Sequence, residues 1–178
     1  MAAEADQRLH TEGDPIPGEW VDYNGHVLDA CYLLAFAPAT TALLEAVELG
    51  EGYREATGCT IYTVECHVRY LRELHAGDVP HIDTQLLGFD EKRIHAHHTL
   101  ARSAGSEPAA TCELLFLHVN QASGRVEPLP AEARARVAAL HGRHAALPQP
   151  AGTGRGIRLS QRRGEEATCT TTTIATTP

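Results

Sequence analysis

The chain has 178 residues, 43% hydrophobic and 5% aromatic, with a formal net charge of −8 and a pI near 5.7. That size and apolar fraction suit one domain with its own core, and the acidic balance argues against nucleic acid or an anionic membrane surface as a partner. The five cysteines are odd in number and form no Cys-x-x-Cys pair, which speaks against a zinc knuckle or thioredoxin-like site and for reduced thiols in a cytoplasmic protein.

Residues 1–15 are polar and aperiodic and are expected to be a flexible lead-in. A short strand is expected around Gly18 to Asp22, ending in the turn signal Asn24-Gly25. Asp29 to Leu49 reads as a helix with Asp29 as N-cap. Leu33, Leu34, Phe36, Leu43, Leu44 and Val47 spread over most of its circumference, which predicts a helix buried all round. Pro38 predicts a kink or break within it.

Gly50 to Gly58 reads as a linker. Thr60 to Arg72 alternates, with Tyr62, Val64, Cys66, Val68 and Tyr70 on one face and Thr63, Glu65, His67 and Arg69 on the other. Val79 to Gly88, Arg93 to Arg102 and Ala109 to Asn120 follow as strands, and their short turns favour an antiparallel meander. Pro130 fits the first position of a helix over Ala131 to Leu147. Residues 16–147 therefore form the expected domain. Residues 148–178, ending in a Thr-rich run, read as a disordered low-complexity tail. The order predicts an α+β fold in which a five-stranded antiparallel sheet wraps one long central helix, with a further C-terminal helix. No apolar run in the sequence reaches the length of a membrane span. A sheet left with an open edge favours pairing between subunits.

The chemistry concentrates in Val21-Asp22-Tyr23-Asn24-Gly25-His26-Val27, an acid, an amide and an imidazole around a glycine at a helix entrance. A carboxylate beside unpaired helix N–H groups is a minimum kit for acyl transfer. His95, His97 and His98 lack a convincing third ligand, and no metal site is expected. No Gly-x-Gly-x-x-Gly fingerprint is present, so no nucleotide cofactor is expected either.

The element order, the pattern Asp22-x-x-Gly25-His26-Val27-x-x-Ala30-x-Tyr32-Leu33, and Tyr70 followed by Gly77-Asp78 resemble hotdog-fold acyl-CoA thioesterases of the 4-hydroxybenzoyl-CoA thioesterase type, from about Ile16 to His118. More narrowly, the stretches 21–26, 62–69 and 90–95 resemble the betainyl-CoA thioesterase family, a domain often fused behind L-carnitine dehydrogenase. The chain departs from that pattern at Leu28 and Asp29, where relatives commonly carry two Asn.

The resemblance implies hydrolysis of a small acyl-CoA thioester by a homodimer or dimer of dimers with composite sites, betainyl-CoA being the favoured substrate. Asp22 is implied as general base or nucleophile, the N–H groups of Val27, Leu28 and Asp29 as the oxyanion site, and Asn24 and His26 as positioning or proton-transfer groups. Glu65 and His67, two apart on one strand face, are implied to reach the partner's active-site loop. Trp20, Tyr23, Tyr32 and Tyr62 are candidates to receive a quaternary ammonium. Arg69, Arg72, Lys92 and Arg93 are candidates for the CoA phosphates. Two alternatives remain, a hotdog-fold hydratase or dehydratase and a non-catalytic acyl-CoA binding module; a central helix without histidine counts against the hydratase.

Overall fold

The period-two pattern after Gly58 becomes a curled antiparallel sheet in the computed structural model, which describes residues 7–157. In chain order the elements are β1 (Leu9–Glu12), a 3-10 turn (Gly18–Trp20), α1 (Asp29–Ala46), α2 (Glu51–Thr57), β2 (Cys59–Tyr70), β3 (His81–Phe89), β4 (Arg93–Ala101), β5 (Pro108–Asn120), β6 (Arg125–Val126) and α3 (Ala131–His144). The sheet runs β1-β3-β4-β5-β2, with β6 paired to the end of β5. Only β3 to β5 form the expected meander; β2 crosses to pair with β5 and stands at the far edge.

Two expectations about the N-terminal end are corrected. The first strand lies at Leu9–Glu12, inside the stretch expected to be flexible, because it pairs with His81 to Thr84. Gly18 to Asp22 forms no strand: Trp20 and Val21 donate back to Pro17 and Gly18, and Val21 makes only a single bridge to Val27.

Tyr32, Ala35, Phe36, Ala39 and Leu43 form the buried face of α1. They join Leu86, Ala96, Leu100, Ala110 and Phe116 from the sheet in one core. The helix is not buried all round, since Leu33 and Leu34 are 44% and 55% exposed. Nor does Pro38 break it. Pro38 sits on the exposed side, where the Leu34 carbonyl that loses its donor is open to water. The first turn lacks a side-chain cap from Leu28, and Asp29 is the first helical residue rather than the cap, its Oδ1 accepting the Ala30 N–H at 2.8 Å.

A bulge between Thr63 and Glu65 resets the faces of β2. Side chains of directly paired residues share a face. Tyr62, Glu65, His67 and Arg69 oppose Leu117, Leu115, Glu113 and Thr111 on the outer face, whereas Thr63, Cys66 and Val68 oppose the core residues Phe116, Leu114 and Cys112. The expected grouping of Tyr62 with Cys66 and Tyr70 is thus corrected by one inserted residue, Val64.

The helix α3 ends against β3, where Ala133, Val137 and Leu140 are buried. Beyond it the chain continues over the outer face: Arg69 donates to the Ala151 carbonyl and Gly154 N–H to Glu113 Oε2. Residues 148–157 are therefore placed against the domain, and the Thr-rich run lies outside the described residues. No described helix is long and apolar enough to cross a membrane alone.

Candidate active site

The residues before α1 fold into a tight turn because Asp22 satisfies them locally. Its carboxylate accepts the Asn24 N–H at 2.8 Å, the Asn24 side-chain amide at 3.0 Å and the His26 N–H at 3.4 Å. The backbone closes the same turn, with Asp22 N–H donating to the His26 carbonyl and Gly25, at φ 84°, donating to the Asp22 carbonyl. A left-handed φ at that position suits glycine. Desolvation pushes the Asp22 carboxyl up, but the Asn24 and His26 donors outweigh it and hold the group below its ordinary 3.8. Asp22 is thus an ionised carboxylate, half-exposed, one turn before a helix entrance.

Three N–H groups were candidates for an oxyanion site, and two are spoken for. Val27 N–H donates to the Leu74 carbonyl at 3.0 Å and Leu28 N–H to the Trp20 carbonyl at 2.8 Å. Among the described residues, no acceptor is recorded for the Asp29 N–H. It opens the N-terminal end of an 18-residue helix, where the backbone dipoles favour negative charge.

Beside it lies an open cleft of about 570 Å³ lined by His26, Asp29, Tyr70, Arg72, Glu73 and His75 among others. His26 Nε2 stands 3.1 Å from Glu73 Oε2, and its ring meets that of His75 edge-on at 5.7 Å. Tyr70 packs edge-on against Tyr32 at 5.0 Å, and its hydroxyl donates to the Asp29 carbonyl at 3.2 Å. Tyr70 owes this position to the bulge, which turns it to the α1 side.

Several expected site residues lie elsewhere. Tyr23 is 97% exposed and Tyr62 lies on the outer sheet face, its hydroxyl accepting from Gln121. Trp20 packs against the core, and Tyr32 is buried with its hydroxyl accepting the Leu74 N–H. Glu65 and His67 share the outer face with His95 and Glu113, in a separate hollow that also holds Arg93 and Arg155. Within one chain they lie across the sheet from Asp22, and their expected place beside a partner's loop involves a second subunit. Of the basic candidates, Arg69 is taken by Ala151, Arg72 by Pro108 and Glu107, and Arg93 by Asp90, while Lys92 is exposed. His95 pairs with Glu113 through Nε2, and both ring nitrogens of buried His98 are engaged by Thr40 and Thr84.

Tyr70, Glu73 and His75 were not singled out by sequence as site residues. The one available signal was the pattern Glu73-Leu74-His75, a polar pair flanking an apolar residue just before the Gly77-Asp78 turn. It is too short to separate from ordinary loop sequence.

The chain is similar to known proteins in sequence and in fold. Residues 16–137 match the thioesterase-like superfamily. A betainyl-CoA thioesterase from Pseudomonas aeruginosa is 44% identical over 86% of this chain and 96% of that protein. An L-carnitine dehydrogenase/betainyl-CoA thioesterase from Rhizobium meliloti is 40% identical over 78% of this chain, which spans only 28% of that longer protein. Among solved structures, Staphylococcus aureus SAV2348 in complex with CoA is 26% identical with a TM-score of 0.79, covering 90% of this chain and all of that one. A Pseudomonas putida putative thioesterase is 34% identical with a TM-score of 0.70, covering 86% and 96%. With the family pattern running from Ile16 into α3 and the sheet curled about α1 as in these structures, the chain belongs to the thioesterase-like superfamily of thioester hydrolases and has the hotdog fold.

Proposed function

We propose that this thioester hydrolase cleaves betainyl-CoA to betaine and CoA, as a cytoplasmic homodimer. The observation that carries the chemistry is the Asp22 carboxylate, held ionised by Asn24 and His26 on the loop that leads to the open Asp29 N–H. Asp22 either draws a proton from water or attacks the thioester carbonyl itself, and the Asp29 N–H takes the negative charge that develops on the carbonyl oxygen. Asn24 keeps the carboxylate oriented, and His26 supplies a polar group beside it.

The substrate class follows the 44% identical relative, a betainyl-CoA thioesterase. The cleft supports it. Tyr70 contributes an aromatic ring, and Asp29 and Glu73 contribute two carboxylates, a set that suits a quaternary ammonium. In this reading Tyr70, Asp29 and Glu73 take the place first given to Tyr23, Tyr62 and Glu65.

Dimerisation is supported by β2, a 12-residue edge strand with Tyr62, Val64 and Tyr70 about half exposed, and by the open Leu33 and Leu34 of α1. The test is CoA release from betainyl-CoA compared with an uncharged acyl-CoA of similar size. Betainyl-CoA is cleaved faster by at least about tenfold, as expected for a desolvated cation–π and carboxylate site. Equal rates remove the cation reading, and no release from any acyl-CoA removes hydrolysis altogether.

A further inference from the structure

His26, Glu73 and His75 come from two segments, yet each offers a ligand atom within 4.8 Å of the others. Their closeness has a structural cause. Val27 and Leu74 are both buried, and the Val27 N–H donates to the Leu74 carbonyl at 3.0 Å. The Leu74 N–H is held in turn by the Tyr32 hydroxyl at 3.1 Å. His26 precedes one pinned residue, and Glu73 and His75 flank the other, so the three side chains leave the core from fixed points.

His75 has a second support. Its N–H donates to Asp78 Oδ2 at 2.8 Å, and its Nδ1, buried and without a hydrogen-bond partner, stands 3.8 Å from the same oxygen. Asp78 is itself clamped by Arg102 at 2.9 and 3.1 Å. Metal-binding histidines are oriented by a carboxylate that accepts from the second ring nitrogen; Asp78 stands on that side of His75, beyond hydrogen-bond reach at 3.8 Å. Two imidazoles and one carboxylate also form a donor set suited to zinc rather than to magnesium or calcium, which prefer oxygen alone. In a tetrahedral zinc site ligand atoms stand roughly 3.3 Å apart. The His26–Glu73 separation of 3.1 Å already meets this.

We propose that His26, Glu73 and His75 bind a zinc-class transition-metal dication, and that the bound ion slows thioester hydrolysis by withdrawing the His26 imidazole and Glu73 carboxylate from the cleft. The binding part stands on geometry alone; the effect on rate rests on the hydrolase reading given above.

The test uses the full chain, stripped by a chelator and titrated with Zn²⁺ by calorimetry, with Co²⁺ as a spectroscopic substitute. One saturable site per chain is expected, with visible bands from tetrahedral Co²⁺. His75→Ala and Glu73→Gln each weaken binding at least about tenfold. His95→Ala, on the opposite sheet face, leaves it unchanged. Absence of saturable binding, or binding by His75→Ala as tight as in the parent, overturns the site.

Rates are followed by loss of thioester absorbance, because released CoA thiol itself takes zinc. Stoichiometric Zn²⁺ slows the parent chain and leaves the remaining rates of Glu73→Gln and His75→Ala unaltered. Equal inhibition of all three overturns the regulatory role. If no form of the chain hydrolyses any acyl-CoA, the hydrolase reading falls and the rate effect with it, while calorimetry still decides the site.

Discussion

The Tyr70 hydroxyl donates to the Asp29 carbonyl at 3.2 Å, tying the last residue of the edge strand β2 to the first residue of α1. The bond steadies the residue whose N–H faces the proposed oxyanion. Tyr70→Phe removes it without changing the ring that packs on Tyr32. Loss of about 1 kcal/mol of positioning corresponds to a severalfold fall in kcat. The melting temperature is expected to change little. Unaltered kcat would detach Tyr70 from the chemistry.

Asp22→Asn is expected to lower kcat at least about 100-fold, since the carboxylate is the only base or nucleophile in the proposed step. The turn survives, because an amide oxygen still accepts the Asn24 N–H. Circular dichroism and the oligomeric state should match the parent. Activity close to that of the parent moves the base to another residue.

Asn24→Ala provides a separate check on how Asp22 is kept ionised. Desolvation raises the Asp22 pKa and the Asn24 and His26 donors lower it further than that, so its net position is below 3.8. The active, ionised form therefore persists as pH falls through the ordinary carboxylate range. Removing the amide donor lets the pKa rise, and the acid limb of kcat/KM shifts to higher pH. An acid limb that stays in place shows that the side-chain bond does not hold the charge.

Much of this was legible in the sequence, and the exceptions have physical causes. Periodicity located β2 to β5, α1 and α3 because each has a continuous apolar face. It misplaced Tyr62, because a bulge changes the face without changing composition. The strand β1 was missed since a four-residue edge segment is specified by its partner β3 rather than by its own pattern. At the proposed site, the cluster of Asp22, Asn24 and His26 is legible because one local turn encodes it. Glu73 and His75 were not, since their approach to His26 depends on the long-range bond between Val27 and Leu74.

Acid should destabilise the fold through β4. Burial depresses His97 to about 4 and His98 to about 3, and both rings are almost wholly enclosed. Unfolded, each takes its proton near 6.5. Stability is therefore full above that pH and is lost as pH falls from 6.5 towards 4, by about 3 kcal/mol for His97 alone. Chemical denaturation at stepped pH measures the slope. His97→Gln, which cannot titrate, should flatten it, and an unchanged slope would assign the acid sensitivity to other groups.

His144 closes the sheet where β1 leaves β3. Its Nδ1 accepts the Leu86 N–H at 2.8 Å and its Nε2 donates to the Gln7 carbonyl at 2.9 Å, a pairing that requires the neutral ring protonated at Nε2. The imidazole thus bridges Leu86 of β3 to Gln7 just beyond the last β1–β3 pair, Leu9 with Thr84, where the backbone ladder has ended. His144→Ala leaves the Leu86 N–H buried and unpaired and opens a cavity beside Leu140. A loss of roughly 2–4 kcal/mol is expected. Hydrogen exchange at the Leu86 amide should accelerate more than global unfolding explains, because the local partner is gone. Protection equal to that of the parent would mean that water or a neighbouring carbonyl had taken its place.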